Sequence, residues 1–240
     1  MPRIVRHPEV RRAELLAAAA RLFGARGYEA ASVDDIIGDV GLSKGAFYYY
    51  FPSKDALLEA LARQAAERAR AELEAILAAP AMSAVEQLNA FLRRGRDTDR
   101  AAEAIATFAS IFSPENIVLY HRMHRTVMAV MAPALARIIE KGRREGSMAS
   151  NDPLISAELV LLLGAVTHGA VADLLAAEGA DALSQAIAAF ERRLAEQGLA
   201  VDRILGLPDG TARFVEPGFV AAMAAARPNR NPLGATVAAG

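Results

Sequence analysis

Between Ser32 and Ser53 the chain reads SVDDIIGDVGLSKGAFYYYFPS, and the punctuation of that stretch leaves the backbone few choices. Ser32 precedes Asp35 in a Ser-x-x-acid pattern, in which the hydroxyl accepts from a free backbone N–H and the carboxylate accepts from the cap in return. Asp34 and Asp35 also fall at the positive end of the helix dipole. Gly41 offers the left-handed residue that closes a helix, and Ser43 can cap the next one almost at once. Pro52 stops that second helix and Ser53 caps another. Two short helices joined by a tight glycine turn have helix-turn-helix spacing.

The flanking sequence extends the helical reading. Leu15, Leu16, Ala19, Leu22 and Phe23 recur at helical spacing over roughly 9–25, with Gly24 and Gly27 as exits. After Ser53 the stripe Leu57, Leu61, Ala65, Ala69 continues through Leu73, Ile76 and Leu77 to Pro80, so a long fourth helix would leave the small unit and join it to the rest. Further helices are expected over about 83–96, 101–112, 115–145 with a bend at Pro133, 154–177 and 181–197. The helix over 154–177 is apolar on most of its circumference, which predicts burial on all sides. No stretch alternates as a strand does, and the chain is predicted to be all-α with about nine helices. The expected organisation is a small helix-turn-helix unit over 9–69, a helical bundle over 70–205, and a mobile Pro/Gly/Asn-rich tail over 206–240 with at most a short helix near 217–226.

Composition removes several function classes. With 240 residues, 53% of them hydrophobic, the chain can bury a substantial core. It has no cysteine, which excludes disulfides, thiolate catalysis and cysteine-ligated zinc. GxSxG, HExxH and a phosphate-cradling loop are all missing, so no enzyme and no cofactor are expected. His121 and His124 share a helical face, but the nearby sequence adds no further obvious ligand, and no metal is expected. The basic start followed by LLAAAARLFGA imitates a secretory leader, yet Glu14 and Arg21 interrupt it. LVLLLGAV at 159–166 falls far short of the ~20 residues a bilayer requires, so a cytoplasmic protein without a membrane partner is expected. The net charge of −1 means that a nucleic-acid partner would have to meet a local basic surface, such as Arg3, Arg6, Arg11, Arg12, Arg21 and Arg26 against Glu9 and Glu14.

The three tyrosines supply a partner for such a surface. On a helix from Ser43 to Tyr50 at about 100° per residue with Phe47 at zero, Phe51 falls at about 40° and Lys44 at about 60°. Gly45 and Tyr49 fall almost opposite, at about 160° and 200°, with Tyr48 at about 100°. Phe47 and Phe51 therefore form the buried side, and the other side is aromatic and open. A helical glycine costs about 1 kcal/mol relative to alanine, and makes most sense where another molecule's backbone approaches closely. Tyrosine hydroxyls can donate to phosphate oxygens while the rings lie against sugars or thymine methyls. Lys54, in the first turn of its helix beside free N–H groups, is expected to form an anion site for phosphate.

The run AARLFGARGYEAASVDDIIGDVGLSKGAFYYYFPSKDALLEAL resembles the DNA-binding domain of TetR-family transcriptional regulators, over residues 9 to about 69. The resemblance implies that the third helix is the recognition helix and that a homodimer places two of them in successive major grooves of a double-stranded operator. It assigns Lys44, Gly45, Tyr48, Tyr49 and Tyr50 to face DNA, with Ser32, Ser43 and Lys54 anchoring the backbone. Ala46 and Phe47 depart from the threonine and leucine frequent in the family, and Ala46 lacks a hydroxyl that could make a contact.

One recognition unit buries too little surface for operator-level affinity, so the remainder of the chain is expected to dimerise. The pair of helices over 154–177 and 181–197 is the candidate interface, with Leu159, Leu162, Val166, Ala170, Leu174, Ile187 and Phe190 in it or just beneath it. Phe108, Phe112, Tyr120, Met123, His124, Met128 and His168 are candidate linings of an adaptable pocket for a small-molecule effector, although a packed core explains each of them as well. The expected function is a ligand-responsive repressor. The rivals are a helical protein-interaction module that turns its tyrosines to a protein, and a DNA-binding regulator without an effector.

Overall fold

The computed structural model describes residues 8–78, 81–94, 108–215 and 218–225. Arg3, Arg6, most of the helix expected over 101–112, and the chain after 225 lie outside them. Helices α1 (Pro8–Arg26), α2 (Val33–Val40) and α3 (Lys44–Tyr50) form the N-terminal unit, and α4 (Lys54–Leu77) leaves it. The bundle contains α5 (Ala84–Arg94), α6 (Ile117–Glu145), α7 (Pro153–Leu162), α8 (His168–Ala176), α9 (Ala180–Leu205) and α10 (Phe219–Ala225). A 3-10 turn, Leu163–Thr167, joins α7 and α8 into one rod. With that rod counted once there are nine α-helices and no strand among the described residues, in line with the expected class. Helix α6 runs 29 residues, with Pro133 inside it.

The caps form as the sequence pattern requires. Ser32 Oγ accepts from Asp35 N at 3.0 Å, while the Asp35 carboxylate accepts from Ser32 N at 2.8 Å. That hydrogen bonding, from the hydroxyl first and the backbone second, holds the Asp35 carboxyl below the usual carboxylate range. Gly41 adopts φ 66° and ψ 41°, and the N–H of Leu42 returns to the Ile37 carbonyl at 3.0 Å. Ser43 and Ser53 accept from Ala46 N and Ala56 N at 3.2 and 3.0 Å.

The core does not break where the two expected domains meet. Leu15, Ala19, Phe23, Ile36, Phe47, Leu57 and Leu58 are fully buried, and Ile111, Leu119, Tyr120 and Met123 from the start of the bundle pack in the same cluster. A second cluster lies around Leu73, Leu88, Leu135, Ile138 and Val201.

The described part of the segment after Leu205 packs back onto the bundle. Leu207, Ala212, Phe214, Phe219, Val220, Met223 and Ala224 are buried. Helix α9 also continues past 197 to Leu205, because its last turns are covered by this returning chain. Gly198 lets the two backbones meet: a Cβ there would lie 2.9 Å from the Ala212 carbonyl oxygen. The latch is Asp202, fully buried, which accepts from the backbone N–H of Gly210 at 2.7 Å, Thr211 at 3.1 Å and Ala212 at 2.8 Å. Asp202→Ala orphans those donors and is expected to destabilise the protein by about 2–4 kcal/mol in urea unfolding, with early proteolytic cleavage after Leu205. Unchanged unfolding would show that the carboxylate does not hold the tail.

Candidate functional site

Helix α3 presents two faces. Phe47 and Phe51 are buried, with ring centroids 6.1 Å apart. Tyr48 is 49% and Tyr49 77% exposed, and the 77% matters because most of that side chain is left open to a partner. Gly45 is exposed, and a Cβ built there would meet nothing within 4 Å. Nothing inside the described chain therefore requires glycine at 45. Tyr50 differs from its neighbours: it is half-buried, packs on the N-terminal core and meets Tyr49 edge-on at 5.0 Å, so it supports the exposed face rather than forming it.

The polar residues divide in the same way. Lys44 is exposed and its ammonium lies 3.3 Å from Asp34, an exposed pair that contributes about 0–1 kcal/mol and can be exchanged for a phosphate contact. Ser43 is exposed and uses its oxygen as an acceptor, which leaves the O–H able to donate outward. The Ser32 hydroxyl donates to Asp35 at 2.6 Å, so its proton serves the cap.

Lys54 is engaged partly within the fold. Its ammonium donates to the carbonyls of Tyr28 at 2.9 Å and Ala31 at 3.2 Å and lies 4.1 Å from the Tyr28 ring centroid. It clamps the α1–α2 connection to the start of α4, because a half-buried ammonium gains more from two carbonyls and a ring face than from open solvent. The basic surface of α1 is also weaker than its arginine count suggests. Arg11 pairs with Glu14 at 2.8 Å, Arg26 with Asp35 at 3.7 Å and Arg21 with Asp39, while Arg12 lies 5.1 Å over the Phe51 ring.

A junction that the sequence did not reveal connects this unit to the bundle. Arg122 on α6 pairs with Asp55 at 3.5 Å and with Glu59, both on α4. Asp55 also accepts from the Tyr28 hydroxyl, and burial, together with that carboxylate, pushes the Tyr28 phenol far above its ordinary range. Asn116, just before α6, donates to Glu29 at 2.8 Å. None of these residues carries a local pattern, since each partner lies far away in the sequence.

The expected pocket residues are brought together in part. Phe112, Tyr120, His124 and His168 form one ring cluster: Tyr120 lies 4.4 Å from His168, 5.7 Å from Phe112 and 6.0 Å, stacked, from His124. Met123 and Phe108 belong to the adjoining core. Met128, farther along α6, is half-buried and stands outside these ring contacts. Burial pushes the Tyr120 phenol up to about 12, and burial followed by the neighbouring His121 holds His124 below its ordinary range, so its imidazole is neutral at pH 7.

The expected dimer residues separate into two layers. Leu159, Leu162 and Val166 are exposed, and Leu154 and Ile155, which the sequence reading overlooked, extend their stripe along α7. Ala170, Leu174 and Phe190 are instead buried within the chain, with Ile187 packed against them, because α10 lies over them in a third cluster. Nor is the rod buried on all sides as expected: its most apolar window is only 22% buried. The rod Pro153–Ala176 has 24 residues and is long and apolar enough to cross a bilayer by length and composition alone, more than the run at 159–166 indicated. Glu158, His168 and Asp173 lie along it.

Residues 15–61 match the model of the tetR family of bacterial regulatory proteins. They span most of α1 through the first turns of α4, so the match falls on the N-terminal helix-turn-helix unit. Over 69 residues the chain is 41% identical to the HTH-type transcriptional repressor Rv1474c of Mycobacterium tuberculosis, covering 28% of this chain and 37% of that protein. It is 50% identical over 44 residues to the HTH-type transcriptional regulator YuxN of Bacillus subtilis, covering 18% of this chain and 15% of that one. The chain thus spans well under half the length of these curated relatives. A solved TetR-family transcriptional regulator of Pectobacterium atrosepticum aligns over 81% of this chain and 97% of its own, with TM-score 0.55 and 26% identity. RolR, solved in complex with resorcinol, shares the fold over 92% of this chain and 97% of its own, with TM-score 0.59 and 18% identity.

Proposed function

We propose that the protein is a homodimeric transcriptional repressor of the bacterial cytoplasm, which holds a palindromic operator through α3 and releases it when a small molecule occupies the bundle. The observation that carries this reading is the outer face of α3, where Gly45 meets nothing inside the described chain, Tyr48 and Tyr49 are largely exposed, and Lys44 and Ser43 stand beside them. Ser32 and Ser43 cap the two helices of the turn, Tyr50 backs the tyrosine face, and Lys54 fixes the unit from within.

Dimerisation follows from the uncovered stripe Leu154, Ile155, Leu159, Leu162 and Val166. Exposed apolar patches of this kind mark contacts with another surface, and a second copy lays the same stripe against itself about a two-fold axis. Coupling would run through α6, because its first turns hold both the ring cluster and Arg122, the residue that grips α4. A ligand that favours one placement of those turns changes the spacing of the two recognition helices, and a symmetric dimer reads a fixed half-site spacing. That RolR was solved with resorcinol supports an architecture able to admit a small effector.

Tyr49→Ala and Lys44→Ala are each expected to weaken operator binding by about 1–2 kcal/mol in a gel-shift titration, and Lys44→Ala also to lower the salt slope by about one. Wild-type binding by both variants would remove α3 as the reading surface.

A further inference from the structure

We propose that the exposed ion pair between Asp34 on α2 and Lys44 on α3 reads one guanine·cytosine base pair of each half-site, Lys44 donating to guanine O6 and N7 and Asp34 accepting from the cytosine N4 amino group. The proposal rests on the reading of α3 as a DNA-binding helix and adds the base pair that it selects.

A carboxylate on a surface that meets phosphates is unfavourable unless a donor arrives to use it. Helix α2 carries three carboxylates, and two of them are occupied within the N-terminal unit. Asp35 closes the cap with Ser32 and pairs with Arg26, and Asp39 pairs with Arg21. Asp34 takes no part in the cap. Its one charged partner among the described residues is Lys44, whose ammonium lies 3.3 and 3.5 Å from its two oxygens. The Asp34 side chain is nevertheless 69% exposed, which leaves acceptor capacity open to solvent beside the reading helix.

The hydrogen-bonding sense of the surface singles out the same pair. The hydroxyls of Ser43, Tyr48 and Tyr49 rotate to donate or accept, so they tolerate any base edge, and the side chains at Gly45 and Ala46 do neither. Lys44 only donates and the Asp34 carboxylate only accepts. In the major groove a guanine·cytosine pair presents guanine N7 and O6 as acceptors next to the cytosine N4 donor. Adenine·thymine reverses the two inner positions, with the adenine N6 donor beside the thymine O4 acceptor. Guanine O6 and cytosine N4 are hydrogen-bonded to each other, about 2.9–3.0 Å apart as such bonds are. Lys44 Nζ and the nearer Asp34 oxygen are 3.3 Å apart, so the ion pair matches that spacing. It fits guanine·cytosine end for end, and at adenine·thymine it sets donor against donor and acceptor against acceptor.

The local fold holds the pair ready. The Ser32–Asp35 cap and the left-handed Gly41 set α2 and α3 so that residues ten apart in sequence meet at the first turns of the two helices. An ammonium has three donors, so Lys44 keeps one on Asp34 and has two for guanine O6 and N7. Groups that already hold each other lose little side-chain freedom on binding. Gly45, exposed and with nothing within 4 Å of a built Cβ, lets the base edges come up beside them. At other sequences the carboxylate faces phosphates or base acceptors, so the residue that favours the right base pair also disfavours the wrong one.

The test is selection from a random-sequence duplex pool by the full chain, followed by competition gel shifts in which each half-site base pair is changed in turn, with wild type, Asp34→Ala and Asp34→Asn. Asp34 makes no cap bond and is exposed, so both variants are expected to fold as wild type does. In the wild type one half-site position is expected to be guanine·cytosine, and its change to adenine·thymine to lower affinity by about tenfold to a hundredfold. In Asp34→Ala that ratio is expected to fall to about threefold while preferences at the other positions persist. Binding of Asp34→Ala to random-sequence duplex is expected to tighten about twofold, because a negative charge has left the surface. Asp34→Asn, whose amide both donates and accepts, should lose the ratio in the same way. Full discrimination retained in Asp34→Ala overturns the proposal. So does a wild-type site with no fixed guanine·cytosine position, or an Asp34→Ala chain that binds every sequence more weakly by one common factor, the mark of a purely structural role. In each of those cases sequence-selective binding by the wild type leaves the regulator standing. A wild-type chain that selects no duplex removes the regulator reading itself, and this proposal with it.

Discussion

Phe47→Ala is expected to destabilise the N-terminal domain by about 3–5 kcal/mol and abolish operator binding, because the ring is fully buried at the centre of the helix-turn-helix core. Its edge meets the Tyr48 ring at 5.3 Å and it packs on Phe51 at 6.1 Å, so its loss leaves a cavity under the tyrosine face. A whole domain is stable by only about 5–15 kcal/mol, so a loss of this size frays the unit even if the bundle persists. Amide exchange should accelerate through α1–α3, while α6 and α9 remain protected. Wild-type exchange in α3 would mean that Phe47 does not organise the reading surface.

The second large effect is expected from Leu159→Glu combined with Leu162→Glu. These side chains are 47% and 51% exposed in a single chain, and glutamate is a good helix former, so each chain should fold as before. In the proposed dimer the same positions meet a second copy, and four carboxylates cannot be buried there. Sedimentation should show a monomer. Operator affinity should drop by at least about a thousandfold, into the non-specific range, since one half-site no longer helps to hold the other. An intact dimer would place the interface elsewhere and leave the apolar stripe without an occupant.

The features legible in the sequence were the ones fixed by near neighbours. Ser32, Gly41, Ser43 and Ser53 set their helix ends through partners within five residues, and the structure places each cap accordingly. The two faces of α3 follow from helical geometry and the identity of Phe47, Tyr48, Tyr49 and Phe51. The contacts of Lys54 within the fold were not legible, because its partners, the carbonyls of Tyr28 and Ala31, lie 26 and 23 residues away. Asp202 has the same character: an ordinary solvated acid by pattern, it is buried because residues 210–212 return to meet it. That return packs a segment that resembles a loose tail by composition, and α10 covers Ala170, Leu174 and Phe190. The helical period showed that these three residues were apolar. Only the tertiary arrangement decided that α10 covers them, and that Leu154 and Ile155 remain uncovered.

The most direct measurement is selection of fragments from the source genome by the full chain at low salt, followed by a salt titration of whatever is retained. The account predicts a near-palindrome with half-sites about 34–36 Å apart, one turn of the duplex, bound with an affinity that falls steeply and log-linearly as salt rises. No retained fragment at low salt, or retention that ignores salt, would contradict it and turn the tyrosine face toward a protein instead.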